Sequence, residues 1–314
     1  APYAPEWRKL YMERRRQIAA TGIDGVYIDI PYWMTHFTGW EDTWASFDTY
    51  TVAEFKKRTG FDAFTDFKVG DWSDPEFIAW VDFRISSMTE FMAEIDKNVK
   101  SVNPKCKTIA EIYPGIGEEA ARVGADVYDM YPVVDAIAHE FNPGDNSAKR
   151  EPLVWMEYMT GMYTFRAFAE GKPSWMLSYS WDGEEKILPA DAIENLAMSQ
   201  VMAGTNAWDA HRFVMGGSND YAARTKVYKW ISENEKLIYA PRTPISPVGI
   251  YFSPQTRSYF ADDFTPAYQG MMNLLLREHI EFEIITPRTL ATAKSKILIL
   301  PDVKCLNDME FSQL

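Results

Sequence analysis

What most constrains this chain is the order of its segments: short β-rich runs alternate with long stretches of helical periodicity. Such alternation calls for βα units and a parallel sheet. A helix is expected over 6–20, stopped near Gly22, and a buried strand, "GVYIDI", over 25–30, ended by Pro31. An Asp-Pro-Glu start signal opens a helix over 74–99. Its apolar positions (Phe77, Trp80, Val81, Ile85, Met88, Phe91, Met92, Ile95) keep helical spacing, and Asn103-Pro104 closes the unit. Further strands are expected over 107–112, 135–141, 174–180 and 205–210. Helices are expected over 152–170, 190–203 and 218–239.

Residues 241–247 are Pro-rich and read as a linker. Beyond them come a strand over 248–252, a helix over 265–279, and strands over 280–285 and 296–300. The expected organisation is therefore a (β/α) barrel over 1–240, a linker over 241–247 and a partial Rossmann-like domain over 248–314. Five strand–helix units before Pro241 are too few to close an eight-stranded barrel. The first three units are expected upstream or from another chain, and an open doubly wound sheet is the alternative. Both ends read as cut: the chain starts Ala-Pro-Tyr and stops shortly after a strand-like run.

The formal net charge of −13 disfavours a nucleic-acid partner, which needs clustered Lys and Arg. The basic run Arg14-Arg15-Arg16 falls on an expected helix and reads as a solvated face. No stretch of about 18 apolar residues suggests a membrane span. A neutral glycan suits this acidity. Aromatic residues reach 15%, with 11 Trp and 17 Tyr. They serve either a large core or sugar-ring stacking at a cleft. Cys106 and Cys305 read as buried small hydrophobes rather than ligands or a disulfide.

In a parallel barrel the reacting groups sit at the C-terminal ends of strands. Those ends offer Asp29, Glu111, Glu140, the segment 178–182 and Asp209. Each acid alone reads equally well as a salt-bridged or capping residue. As a set, at the tips of otherwise apolar strands, they favour a cleft, because a buried charge needs a partner or a polar opening. Glycoside hydrolysis uses two carboxyl groups flanking the scissile bond, which Asp29 and Glu111 supply on successive strands. The long segment after Asp29 carries Tyr32, Trp33, His36, Trp40, Glu41 and Asp42. Trp33 and Trp40 suit either a sugar platform or a mini-core within the loop. His36 and His139 are candidates for hydrogen bonds to hydroxyls, and Tyr113, Tyr179 and Trp181 join the expected substrate-binding set at the strand ends. No metal-ligand spacing, phosphate loop, nucleophile elbow or dinucleotide fingerprint occurs, so neither cofactor nor metal is expected.

At "DGVYIDIPYW" and "KTIAEIYPG" the chain resembles glycoside hydrolases of the α-amylase-like and α-galactosidase-like superfamilies. In the α-amylase-like families the fourth barrel strand ends in an Asp nucleophile and the fifth in a Glu general acid. The resemblance puts Asp29 and Glu111 in those places and makes 25–30 the fourth strand. It departs where an Arg belongs two residues before the Asp, since Tyr27 stands there, and His36 lies farther on than the family's His. A closer likeness is to the hypothetical glycoside hydrolases that accompany the family 42 β-galactosidase trimerisation domain. "PVGIYFSPQTRSYF" and "ILILPDVKCLND" resemble the start and middle of that Rossmann-like, glutamine-amidotransferase-like domain, which normally continues well beyond this point. Family 42 enzymes carry a Glu acid/base on the fourth strand and a Glu nucleophile on the seventh. Here Asp29 occupies the first place, and "SWMLSYSW" lacks a terminal Glu. The likeness thus implies neither β-galactosidase activity nor, with Cys305 outside any nucleophile elbow, a glutaminase.

The expectation is a retaining, exo-acting glycoside hydrolase and homo-oligomer. Asp29 is the nucleophile, Glu111 the acid/base and Glu140 the reserve acid/base. The alternatives are a carbohydrate-binding pseudoenzyme and an assembly protein on the same scaffold.

Overall fold

The computed structural model describes residues 2–33, 44–112, 116–117, 119–140, 152–178, 190–209, 221–241, 245 and 247–314. Two compact units divide the chain, Ala1–Ile137 and Ala138–Leu314. The first unit runs α1 (Pro5–Ala20), β1 (Gly25–Ile28), α2 (Thr49–Thr59), α3 (Pro75–Lys100), β2 (Lys107–Ile112), α4 (Glu119–Val123) and α5 (Val127–Met130). Strand β3 (Ala136–His139) spans the division. The second unit continues with α6 (Pro152–Ala169), β4 (Ser174–Ser178), α7 (Ala190–Ala203), β5 (Asn206–Asp209) and α8 (Tyr221–Ile238). It ends with β6 (Val248–Tyr251), α9 (Pro254–Tyr259), α10 (Ala261–Arg277), β7 (Phe282–Ile285), β8 (Ile297–Ile299) and α11 (Asp308–Gln313).

In the first unit β1 and β2 pair in parallel, with Gly25 opposite Lys107 and Ile28 opposite Ala110. The Asp135 N–H donates to the Thr108 carbonyl, and the Asp135 carboxylate accepts the Thr108 N–H, which sets the start of β3 beside β2. Helix α3 forms for the reasons its sequence states. Asp74 caps it by accepting the Glu76 N–H, Pro75 opens it, and Lys97 and Lys100 lie in its last turn. Its buried face is the expected apolar series, with Arg84 inserted in it.

That face builds an aromatic core. Phe55, Phe77, Trp80 and Phe83 are buried together, and Trp44, Phe47, Phe67 and Trp72 pack against them. Trp80 meets Phe55 at 4.8 Å and Phe47 at 5.1 Å between ring centroids, while Phe77 meets Trp44 at 5.2 Å. Much of the aromatic richness therefore packs this unit rather than lining a cleft. Tyr3 is drawn in as well: its hydroxyl donates to Ser87 Oγ at 2.8 Å, and its ring stacks on Phe83.

Two sequence expectations need correction here. The segment after Asp29 is not loop throughout, because α2 forms within it. Asp48 caps α2 by accepting the Tyr50 and Thr51 N–H groups, and Gly60, at φ 87°, closes it in the left-handed region. Strand β1 also stops two residues early. Ile30 takes φ 46°, a rare and strained place for a β-branched residue, so the ladder breaks after Ile28.

In the second unit β4 and β5 pair in parallel, Trp175 opposite Asn206 through Ser178 opposite Asp209. A separate three-stranded parallel sheet has the order β7-β6-β8. The second sheet packs on α6. Tyr163 meets Phe282 and Phe168 meets Phe252, at 5.3 and 4.8 Å. The Tyr268 hydroxyl and Thr164 Oγ1 share a buried hydrogen bond of 2.8 Å. Arg288 pairs with Glu170 and donates to the Phe168 carbonyl. Cys106 is fully buried as expected; Cys305 is only half-buried, and both are free thiols.

Gly124 sits at φ 67°, and a Cβ there would lie 2.5 Å from Trp33 Cδ1 and 3.2 Å from Arg84 Cβ. Gly124→Ala is therefore expected to destabilise the chain by about 2 kcal/mol, from overpacking and backbone strain together. Urea unfolding checks this; a midpoint equal to that of the unsubstituted chain would contradict it.

Candidate functional site

The β1–β2 register carries the chain up to the two acids: its last aligned pair is Ile28 opposite Ala110, and Asp29 and Glu111 are the residues that follow. Side chains alternate along a strand, and in-register parallel neighbours share a face. Val26 and Ile28 are buried, Tyr27 is 40% exposed and Asp29 is exposed, so the alternation continues through Asp29. On β2 the face of Thr108 and Ala110 is turned to α3, since Thr108 Oγ1 bonds Asp96 of that helix. Tyr27 and Ile109 are on the opposite face, and Glu111 follows Ile109 there by alternation along β2.

The two acids differ in surroundings. Asp29 is open to solvent, whereas Glu111 is 3% exposed. Immediately after Asp29 the left-handed Ile30 turns the chain, and the Tyr32 N–H closes back onto the Ile30 carbonyl at 2.8 Å. The acid thus sits at a sharp exit from the strand, on a backbone that the surrounding structure must hold.

Other expected residues fall out differently. Trp33 takes the mini-core role. Its indole N–H donates to the Arg84 carbonyl at 2.8 Å, its backbone N–H donates to the Val123 carbonyl, and its ring stacks with Tyr3 at 6.2 Å. Tyr32 is half-buried beside it. His139 is 0% exposed and stacked on Phe165, with ring centroids 4.0 Å apart and planes 9° apart. It has no surface to offer a sugar hydroxyl, and burial lowers its pKa to about 3. Glu140 follows β3, half-buried, in the second unit. Asp209 ends β5 opposite Ser178. His36, Trp40, Tyr113, Tyr179 and Trp181 lie outside the described residues. Among the described residues no group of three His, Cys, Asp or Glu side chains gathers to hold a metal ion, and no helix is long and apolar enough to cross a membrane.

Sequence reasoning passed over Arg84. It is 0% exposed and bound to Ser46 Oγ at 3.1 Å, the Ala121 carbonyl at 3.0 Å and the Arg122 carbonyl at 2.7 Å. Burial pulls its guanidinium down to about 9. A signal was present: a cation four residues after Trp80, on the apolar stripe itself.

Parallel strands with intervening helices define the class of the fold, a (β/α) architecture. No family model matches the sequence, and no curated protein matches it. Solved structures do match. The β-galactosidase from Bacillus circulans sp. alkalophilus aligns with 96% of this chain and 51% of its own, at 12% identity and a TM-score of 0.69. For the β-galactosidase from Rahnella sp. R3 the shares are again 96% and 51%, at 13% identity and 0.67. The GH42 exo-carrageenase from Bacteroides ovatus aligns over 87% of this chain and 45% of its own, at 13% identity and 0.60. At such identities the likeness is one of fold. The chain spans about half the length of these enzymes.

The His139 environment has a pH consequence. Its folded pKa lies below that of the unfolded chain, so the unfolded state binds the extra proton. His139 therefore weakens the fold progressively as pH falls from about 6.5 towards 3, with a slope of about 1 kcal/mol per pH unit. His139→Phe keeps a ring against Phe165 and is expected to flatten the stability–pH slope over that window. Unfolding midpoints at several pH values check it; an unchanged slope would remove the assignment.

Proposed function

We propose that this chain carries the paired carboxylates of a retaining glycoside hydrolase. The observation that supports the reading is the parallel register of β1 on β2, whose last pair, Ile28 opposite Ala110, stands immediately before Asp29 and Glu111. The fold-level likeness to β-galactosidases supports it. The segment 248–314 is read alongside as a Rossmann-like module that assembles the chain into oligomers.

In this reading an Asp29 carboxylate oxygen attacks the anomeric carbon as its bond to the leaving oxygen breaks. Glu111 gives that oxygen a proton. A water then attacks the same carbon, Glu111 takes the water's proton, and the Asp29 ester bond breaks, releasing the sugar with its configuration kept. Retention needs the carboxyl groups about 5–5.5 Å apart, close to the spacing of neighbouring strands. Glu111 must hold a proton near neutrality while Asp29 stays ionised, and the two acids already differ in burial. Glu140 stands in reserve as acid/base.

Asp29→Asn is expected to lower turnover of aryl glycosides by roughly a thousandfold or more with the circular dichroism unchanged. Glu111→Gln is expected to lose about 10²- to 10⁴-fold, with azide restoring turnover of substrates that have good leaving groups. Glu140→Gln is expected to spare most activity. Near-normal turnover by Asp29→Asn would end the assignment. Glycan binding without turnover by the unsubstituted chain would favour the carbohydrate-binding reading.

A further inference from the structure

We propose that Arg84 is a positioning residue for the paired acids: by holding the segments that leave β1 and β2 to one helix, it fixes the spacing of Asp29 and Glu111. The inference rests on the two-carboxylate reading above and adds a residue to it.

Arg84 lies in the middle of α3, among Trp80, Val81, Ile85 and Met88, and is fully buried. Among the described residues no carboxylate pairs with it. A buried cation without a counter-charge is costly unless its donors are satisfied. Its donors are satisfied by particular partners. Nη1 and Nη2 reach the Ala121 and Arg122 carbonyls, in the last turn of α4, the helix that follows β2. Carbonyls at a helix C-terminus lack intrahelical partners and favour a cation.

Nε reaches Ser46 Oγ, and the guanidinium carbon lies 5.1 Å from the Trp44 ring centroid. Both residues belong to the segment that follows β1. Ser46 stands at φ 90°, a left-handed place for a residue with a Cβ, which something must hold. The Arg84 main-chain carbonyl accepts the Trp33 indole N–H. The start of the β1 exit, its later part and the β2 exit therefore meet at one side chain and its backbone. A planar fork can serve three acceptors in fixed directions; a lysine ammonium on a flexible stem cannot reproduce that geometry.

The test uses the full chain with Arg84→Lys and Arg84→Ala. On an aryl glycoside that the unsubstituted chain turns over, folded Arg84→Lys is expected to lose about 10- to 100-fold in kcat with KM within about threefold, since a misplacement near 1 Å costs on that order. Guanidinium at low, non-denaturing concentration is expected to restore part of the kcat of Arg84→Ala. Unchanged kcat in folded Arg84→Lys, or a loss that only follows the folded fraction and ignores guanidinium, would overturn the proposal.

A second readout needs no turnover: the side-chain carboxyl ¹³C shifts of Asp29 and Glu111 at one pH. In Arg84→Lys both are expected to move while the resonances of β4 and β5 stay in place. Shifts identical in both proteins overturn the positioning role. Shifts that move in a chain inert to every aryl glycoside uphold Arg84 and reject the hydrolase.

Discussion

The parallel register of β1 on β2 governs everything the site can do. Four aligned pairs, from Gly25–Lys107 to Ile28–Ala110, put Val26, Ile28, Thr108 and Ala110 on one face and Tyr27 and Ile109 on the other. A slip of one residue would turn Asp29 towards the apolar packing of α3 and Val26 towards water. The register is held by burial on the α3 side and by the Lys107 N–H, which donates to the Asp24 carbonyl just before β1. Lys100 and Lys107 both pair with Asp135, so the lower end of the strands is also an ionic junction. Strand ends of this kind commonly divide the labour of a barrel: stability at the foot, chemistry at the tip.

Much of this arrangement was legible because its signals are local. Runs of Val, Ile and Ala mark the strands. The 3.6-residue spacing from Phe77 to Ile95 marks α3, and a carboxylate at the tip of an apolar run marks each candidate acid. What stayed hidden depends on distant partners. Trp33 offered itself equally as a sugar platform or as packing, and the choice lay with Gly124 and with a carbonyl 51 residues away. His139 reads as a polar tip until Phe165 closes over it. Helix α2 escaped because its buried side is only Thr51, Val52 and Phe55, although Asp48 and Gly60 marked its ends. The break at Ile30 has no signal in residue type, because β-branched residues rarely enter that conformation.

Arg84 and the aromatic core illustrate a related point about composition. An excess of Trp and Tyr suggested rings waiting for sugars, yet in the first unit the rings largely meet one another. Trp80 alone touches Phe47, Phe55, Phe67 and Phe83. A core of flat rings packs densely but needs something directional to stop its layers from sliding. Arg84, with three hydrogen bonds and a ring face beneath it, supplies direction where dispersion supplies none.

The seating of the second sheet on α6 bears on how the polypeptide can be divided. Phe252 and Phe282 are covered by side chains of a helix that precedes residue 241, and Tyr268 and Arg288 reach back to the same helix. Severing the backbone between the sheets would therefore leave two fragments adhering along that helix rather than drifting apart. A shortened gene product beginning at residue 248 would emerge with its aromatic underside bare, prone to clumping for want of its cradle.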